Sequence, residues 1–195
     1  TDDTISKGSW CYTKGLKIKS LNTVLDTFID IVSKNGVLLL NISPKADGTI
    51  PERQKKVLRG LGDWLNRNGE AIYGTRPWKT FGEGPTRLKK GGHFVGHLEY
   101  TAQDVRFTRS KDGETLYAIV LDWPGANEQL TIESVSLDEL PAGVELEEVS
   151  LLGYDGDISW ELTDDGLAVT TPATKVGERA IVFKIKADAS LMASN

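Results

Sequence analysis

Hydrophobic positions divide the chain into two textures. Up to about residue 75 they recur at helical spacing or stand in one short unbroken run, and beyond it they come in brief stretches cut by turn residues. Leu21, Val24, Leu25, Phe28, Ile29 and Val32 lie along one helical face, and Ser20 ahead of them is a good N-cap. The pattern predicts a helix over 20–34, closed by Asn35-Gly36. Val37 to Ile42 is a continuous apolar run, the signature of a strand buried on both faces in a parallel sheet. Pro51 then opens a second predicted helix over 51–67, at a position where its missing N–H costs nothing. Val57, Leu58, Leu61, Trp64 and Leu65 form its apolar face, with Arg53, Lys56, Arg59 and Arg67 largely off it. Gly69, after Asn68, is expected to end it in the left-handed conformation that glycine tolerates. Residues 1–19 are polar and glycine-containing and read as a loop.

Helix, strand, helix with short connections is the grammar of α/β folds. One strand cannot make a sheet, so its neighbours are expected from outside this stretch.

The second texture is different. Gly82, Gly84, Pro85, Gly91 and Gly92 make a linker-like passage. Short runs follow: Val105 to Thr108, Leu116 to Trp123, Leu130 to Ile132, Val144 to Leu152, Ile158 to Leu162, Leu167 to Thr170 and Ala180 to Ile185. Asp112-Gly113 is a hairpin signal, and Asp164-Asp165-Gly166 separates two further runs. About seven short strands with regular turns describe an antiparallel β-sandwich. Tyr117, Trp123 and Trp160 are expected to fill the core between its two sheets; as displayed aromatics, together with Tyr154, they are also candidate sugar contacts. Glu147-Glu148 and Asp164-Asp165 read as solvated surface.

Composition narrows the function classes. With 195 residues there is room for one large domain or two small ones, and 39% apolar with 26% charged residues fits an ordinary globular protein. A net charge of −5 argues against a sequence-independent nucleic-acid binder, which needs a basic face. No window approaches the ~18 apolar residues of a membrane span. A single cysteine, Cys11, excludes an internal disulfide framework, and two histidines, His93 and His97, make a structural zinc site a poor expectation. The opening Thr1-Asp2-Asp3-Thr4 resembles neither a methionine start nor a signal peptide, so a trimmed piece of a longer polypeptide is expected.

The loop Ser43 to Ile50 follows the C-terminal end of the predicted strand, the end at which α/β barrels build active sites. Asp47-Gly48 is a turn dipeptide, and Asn41 ends the strand. The strand and loop LLLNISPKADGTIP, the following GDWLNRNGEAIYGTRPW, and the upstream Ser9-Trp10-Cys11-Tyr12 together carry a family resemblance. They resemble the last strand and helix of the α-L-fucosidases, glycoside hydrolase family 29, whose matching upstream segment reads Ser-Trp-Gly-Tyr or Ser-Phe-Gly-Tyr. The resemblance covers roughly residues 8–78 and is one of domain type beyond Trp78. Cys11 stands where the family commonly has glycine.

The resemblance implies a fold in two parts: residues 1–78 as the last part of a catalytic (β/α)8 TIM barrel, and residues 79–195 as a C-terminal β-sandwich. It implies a retaining exo-glycosidase that releases terminal α-L-fucose from glycans through a covalent glycosyl-enzyme, without cofactor or metal. Trp10 resembles the aromatic lining the sugar pocket near the methyl group, and Tyr12 belongs to the same segment. Asn41, Asp47 and Gly48 match motif positions that shape the pocket rim. The family's aspartate nucleophile and acid/base precede anything present here, so no catalytic residue is assigned. The implied partners are a fucosylated glycan and the missing barrel portion, in a secreted, periplasmic or lysosomal-type setting.

On its residues alone the chain leaves two alternatives open. One is a non-catalytic carbohydrate-binding or structural module, with the β-sandwich as its functional part and residues 1–75 a remnant; separately, Trp10 could simply pack on the neighbouring helix. The other is a different barrel glycosidase.

Overall fold

The computed structural model describes residues 1–86 and 98–192, so His93, His97, Gly91 and Gly92 lie outside the described residues. It opens with a βαβα unit: β1 (Asp2–Thr4), α1 (Leu21–Ser33), β2 (Leu39–Asn41) and α2 (Glu52–Asn68), followed by one 3-10 turn over Gly69–Ala71. β3 (Gly82–Glu83), β4 (Val105–Arg109), β5 (Thr115–Val120), β6 (Gln129–Ile132), β7 (Leu146–Leu151), β8 (Trp160–Thr163), β9 (Gly166–Thr170) and β10 (Ile181–Ala187) follow. These last eight form two antiparallel sheets, one ordered β3-β4-β5-β10-β7 and the other β6-β9-β8. The seven runs named from the sequence each overlap one of them, and no helix interrupts the described residues between 98 and 192.

Both helices start as their sequences dictate. The Ser20 side chain accepts the amide of Thr23 at 3.1 Å, the bond of an N-cap serine. The Pro51 carbonyl accepts from Gln54 and Lys55 to begin α2. Asn35 takes the left-handed conformation (φ 62°) that closes α1. Gly69 does not close α2 that way. It remains right-handed (φ −61°, ψ −22°), and the chain tightens into the 3-10 turn before Gly74 (φ 72°) reverses it.

The opening residues are not all loop. β1 pairs in parallel with β2, placing Asp2, Asp3 and Thr4 opposite Leu39, Leu40 and Asn41. Its polar sequence gives no strand signal; the register with β2 makes it one, and Lys19 pairs with Asp3 at 2.6 Å. The run Val37–Ile42 is likewise not covered on both faces. Leu40 and Ile42 pack on Ile5, Val24 and Val57 between the strands and helices, whereas Val37 and Leu39 are 79% and 71% exposed.

The five-stranded sheet is the middle layer of three. One face meets the smaller sheet across a core containing Phe107, Leu116, Val120, Ile132, Leu167 and Phe183. Burying each of the two phenylalanines is worth about 1.5–3 kcal/mol. Trp78 joins this core with its ring edge-on to Phe107, centroids 5.0 Å apart. The other face carries α1 and α2: Leu25, Ile29, Trp64 and Ala71 pack on Tyr117, Ile119, Leu121, Ala180 and Val182. Tyr117 therefore fills no space between the sheets. It faces the helices, and its hydroxyl donates to Glu70 at 2.8 Å, pushing its own proton affinity well up through burial and that carboxylate. Trp123 and Trp160 do pack against the inter-sheet core, half-buried.

Three polar side chains on the helix-facing side find partners across the layers. Arg106 of β4 is 3% exposed, and its Nε donates to Asp30 of α1 at 2.8 Å. Its guanidinium also stands 5.0 Å from the Tyr100 ring centroid. Thr108 donates to the carbonyl of Ala71 at 2.6 Å. Trp64 Nε1 reaches the Ala180 carbonyl at 2.8 Å. Near its end, α2 lays Arg67 over two sandwich loops, where a Cβ on Gly153 or Gly177 would meet it at 2.5 or 2.4 Å.

Candidate functional site

The C-terminal ends of β1 and β2 lie side by side because the strands are parallel, so the segments leaving them share one rim. The first, residues 5–19, folds back on itself: Lys7 donates to the carbonyl of Lys17 at 2.8 Å and Lys19 to that of Ile5 at 2.9 Å. Trp10 and Tyr12 ride on its outer part, 47% and 38% exposed. Cys11 between them is free and exposed.

The second segment leaves Asn41. The Asn41 side-chain amide donates to Thr4 Oγ1 at 3.1 Å and to the Trp10 carbonyl at 3.0 Å. Ser43 Oγ donates to the same carbonyl at 3.1 Å. The Ser6 hydroxyl holds the carbonyl of Ser9. Trp10 is thus pinned through its main chain while its indole stays half in solvent. Behind this contact Gln54 is fully buried, accepting from Ser43 N at 2.9 Å and donating to Ser43 O at 2.8 Å.

Asp47 and Gly48 form the tip of the loop. Asp47 accepts from the amide and the hydroxyl of Thr49, at 2.9 and 2.6 Å, and these bonds, the hydroxyl's first, hold its carboxyl below the usual range. Gly48 is left-handed (φ 81°), and its amide closes the turn on Lys45. The structure therefore joins Trp10 to Asn41. No hydrogen bond among the described residues links Tyr12 or the Asp47-Gly48 turn to them.

Sequence reasoning passed over Thr4, Ser43 and Gln54. Gln54 carried a readable signal: it stands three and four residues before Val57 and Leu58, on the apolar stripe of α2. A polar group on such a stripe must find partners, because burying it unpaired is costly. Among the described residues no group of three histidine, cysteine or acidic side chains is placed to hold a metal ion, and no helix is long and apolar enough to cross a membrane.

Parallel βα units whose strand-end loops meet at one rim, packed on a β-sandwich, define an α/β protein with an appended all-β layer. Sequence profiles specify the family. The alpha-L-fucosidase profile matches residues 1–70 and the alpha-L-fucosidase C-terminal domain profile matches residues 99–186. The chain belongs to the alpha-L-fucosidase family.

Human tissue alpha-L-fucosidase is 31% identical over 172 residues, 86% of this chain and 32% of that protein. Rat plasma alpha-L-fucosidase is 32% identical over 178 residues, 89% of this chain and 34% of that protein. The chain thus spans about a third of the length of the curated relatives it matches. A crystal structure of Thermotoga maritima alpha-fucosidase in complex with fucose superposes with a TM-score of 0.69 at 28% identity, over 94% of this chain and 38% of that one. A Bacteroides thetaiotaomicron family 29 alpha-L-fucosidase, trapped as a covalent intermediate with 2-fluoro-fucosyl fluoride, gives 0.70 at 26% identity, over 96% of this chain and 38% of that one.

Proposed function

We propose that this chain is the C-terminal part of a retaining exo-α-L-fucosidase, to which it supplies one wall of the sugar pocket and the sandwich beneath the barrel. In this reading residues 1–78 are the last two βα units of a (β/α)8 barrel and residues 79–195 its C-terminal domain. The observation that carries it is the parallel β1–β2 pair, with the loops after both strands meeting at the Trp10 carbonyl. The exposure of Val37 and Leu39 fits a sheet that continues into barrel strands provided by the rest of the polypeptide.

The substrate is terminal α-L-fucose on a glycan, as the fucose bound to the Thermotoga relative suggests. A deoxy sugar offers an apolar methyl and ring face beside its hydroxyls, so an indole gains contact area there while polar rim groups orient it. Trp10 is that wall and Tyr12 its neighbour; Asn41, Asp47 and Gly48 shape the rim.

Retaining hydrolysis needs a nucleophilic carboxylate and a carboxylic acid about 5–5.5 Å apart across the scissile bond, passing through a glycosyl-enzyme. The covalent intermediate of the Bacteroides relative supports this course. Both carboxyl groups come from the polypeptide beyond this chain. The decisive assay offers an aryl α-L-fucoside to the 195-residue chain and to the full-length polypeptide. The full-length protein is expected to turn it over and the chain alone is not; turnover by the chain alone would overturn this assignment of the catalytic pair.

The wall has its own test. In the full-length enzyme Trp10→Ala is expected to weaken sugar binding by about 1–3 kcal/mol, the scale of a lost aromatic contact. The melting temperature should barely move, because the ring is 47% exposed. A large loss of stability with an unchanged KM would show Trp10 to be a packing residue instead.

A further inference from the structure

We propose that Ser43 and Gln54 are positioning residues for the sugar pocket, holding the Trp10 main chain so that its indole stands at a fixed place on the wall. This rests on the reading of Trp10 as a pocket wall. The indole belongs to none of the three buried clusters and is half exposed, so its own packing does little to fix it. Its placement falls to the backbone. There the Trp10 carbonyl takes two donors, Ser43 Oγ at 3.1 Å and Asn41 Nδ2 at 3.0 Å, as many as its two lone pairs accept.

Those donors are held in turn. Asn41 shares its amide between Trp10 and Thr4 Oγ1, which ties it to β1. Ser43 is 1% exposed, and the fully buried Gln54 grips both its N–H and its C=O. The two bonds fall on the peptide units either side of the Ser43 Cα, so the hydroxyl inherits its place from the first turn of α2. Asp47 takes no part, since its bonds go to Thr49. The line from helix to pocket is Gln54, Ser43, Trp10. An indole displaced by about an ångström loses complementarity to a sugar methyl, and misplacements of that size carry large rate effects.

The experiment uses the full-length enzyme and two substrates, an aryl α-L-fucoside and the aryl α-L-galactoside that carries a hydroxymethyl in place of the methyl group. The readout is the ratio of their kcat/KM values, which a general loss of folded protein leaves unchanged. Trp10→Ala calibrates the ratio and is expected to lower it. Ser43→Ala removes one hydroxyl while keeping the backbone bonds to Gln54. It is expected to lower the ratio about three- to tenfold, the range of one lost hydrogen bond, with the melting temperature unchanged and the fucoside KM rising more than its kcat falls. Gln54→Met, similar in volume, should lower the ratio at least as far and reduce the melting temperature too.

If Trp10→Ala lowers the ratio and Ser43→Ala leaves it within twofold, the positioning role is wrong while the pocket wall stands. Equal losses on both sugars for Ser43→Ala would likewise make it only structural. A ratio unmoved by Trp10→Ala sinks the pocket reading itself, and this inference with it.

Discussion

Trp64→Ala is expected to destabilise the chain by about 3–5 kcal/mol, the range for truncating a buried tryptophan. The indole is 4% exposed and lies where α2 meets the five-stranded sheet, among Leu25, Ile29, Ile119 and Val182. Truncation opens a cavity at that meeting point and also strands the Ala180 carbonyl, which now accepts from Nε1 at 2.8 Å. Neighbours on two different layers cannot both move inward without breaking other contacts, so collapse will recover little of the loss. Denaturant titration, read by both far-UV circular dichroism and tryptophan fluorescence, measures it. A loss below about 1 kcal/mol would mean that the helices rest on the sheet without depending on it.

The second large effect is expected at Asp26, and it depends on pH. Asp26 sits on α1, 6% exposed, against the same sheet. Burial, with Asp122 nearby, pushes its carboxyl from an ordinary 3.8 up to about 7, against the opposing pull of Arg179 and Arg106. Its folded-state affinity for a proton therefore exceeds its unfolded one. Stability from this group is full below pH about 4, falls as pH rises, and is lost above about 7. The difference across that window is on the order of 4 kcal/mol at most, at 1.36 kcal/mol per unit. Asp26→Asn should therefore stabilise the chain at pH 8 and leave it nearly unchanged at pH 4. Melting both proteins across that range gives the difference directly. A variant that is less stable at pH 8 would show that the ionised carboxylate is favourably paired with the arginines.

Both helices and all seven sandwich runs were legible, and for a common reason: each carries its own signal. Ser20 caps α1 with its own side chain, and the stripe of α2 is complete from Val57 to Leu65. What was not legible depends on distant partners. β1 is polar and becomes a strand only by pairing with β2, and β3 has just two residues. Gly69 had the residue type for a left-handed close, but the chain continues as a 3-10 turn with Tyr73 over it. Arg106 and Thr108 alternate with Val105 and Phe107 as an exposed face would, yet both are buried under the helices. Alternation reveals that a strand has two sides; it does not say what lies on the second. The candidate site divides the same way. Trp10, Tyr12, Asn41, Asp47 and Gly48 were singled out by motif, whereas the bonds through Ser43 and Gln54 join residues 11 or 33 positions apart.

The five-stranded sheet, occupied on both faces, also decides what can be exchanged between relatives. Tyr117 and Ile119 on one side of β5, with Leu121 just past its end, answer to Trp64 and Ile29, while Leu116, Ala118 and Val120 answer to the opposite sheet. A chimaera joined near residue 78 would seat one parent's helices on the other's strands and separate Arg106 from Asp30, Tyr117 from Glu70 and Gly153 from Arg67. A crossover in the segment ahead of Leu21 keeps those pairs in one inheritance. The heritable block is both helices with the sandwich, and it cuts across the βα repeat that the order of elements along the chain suggests.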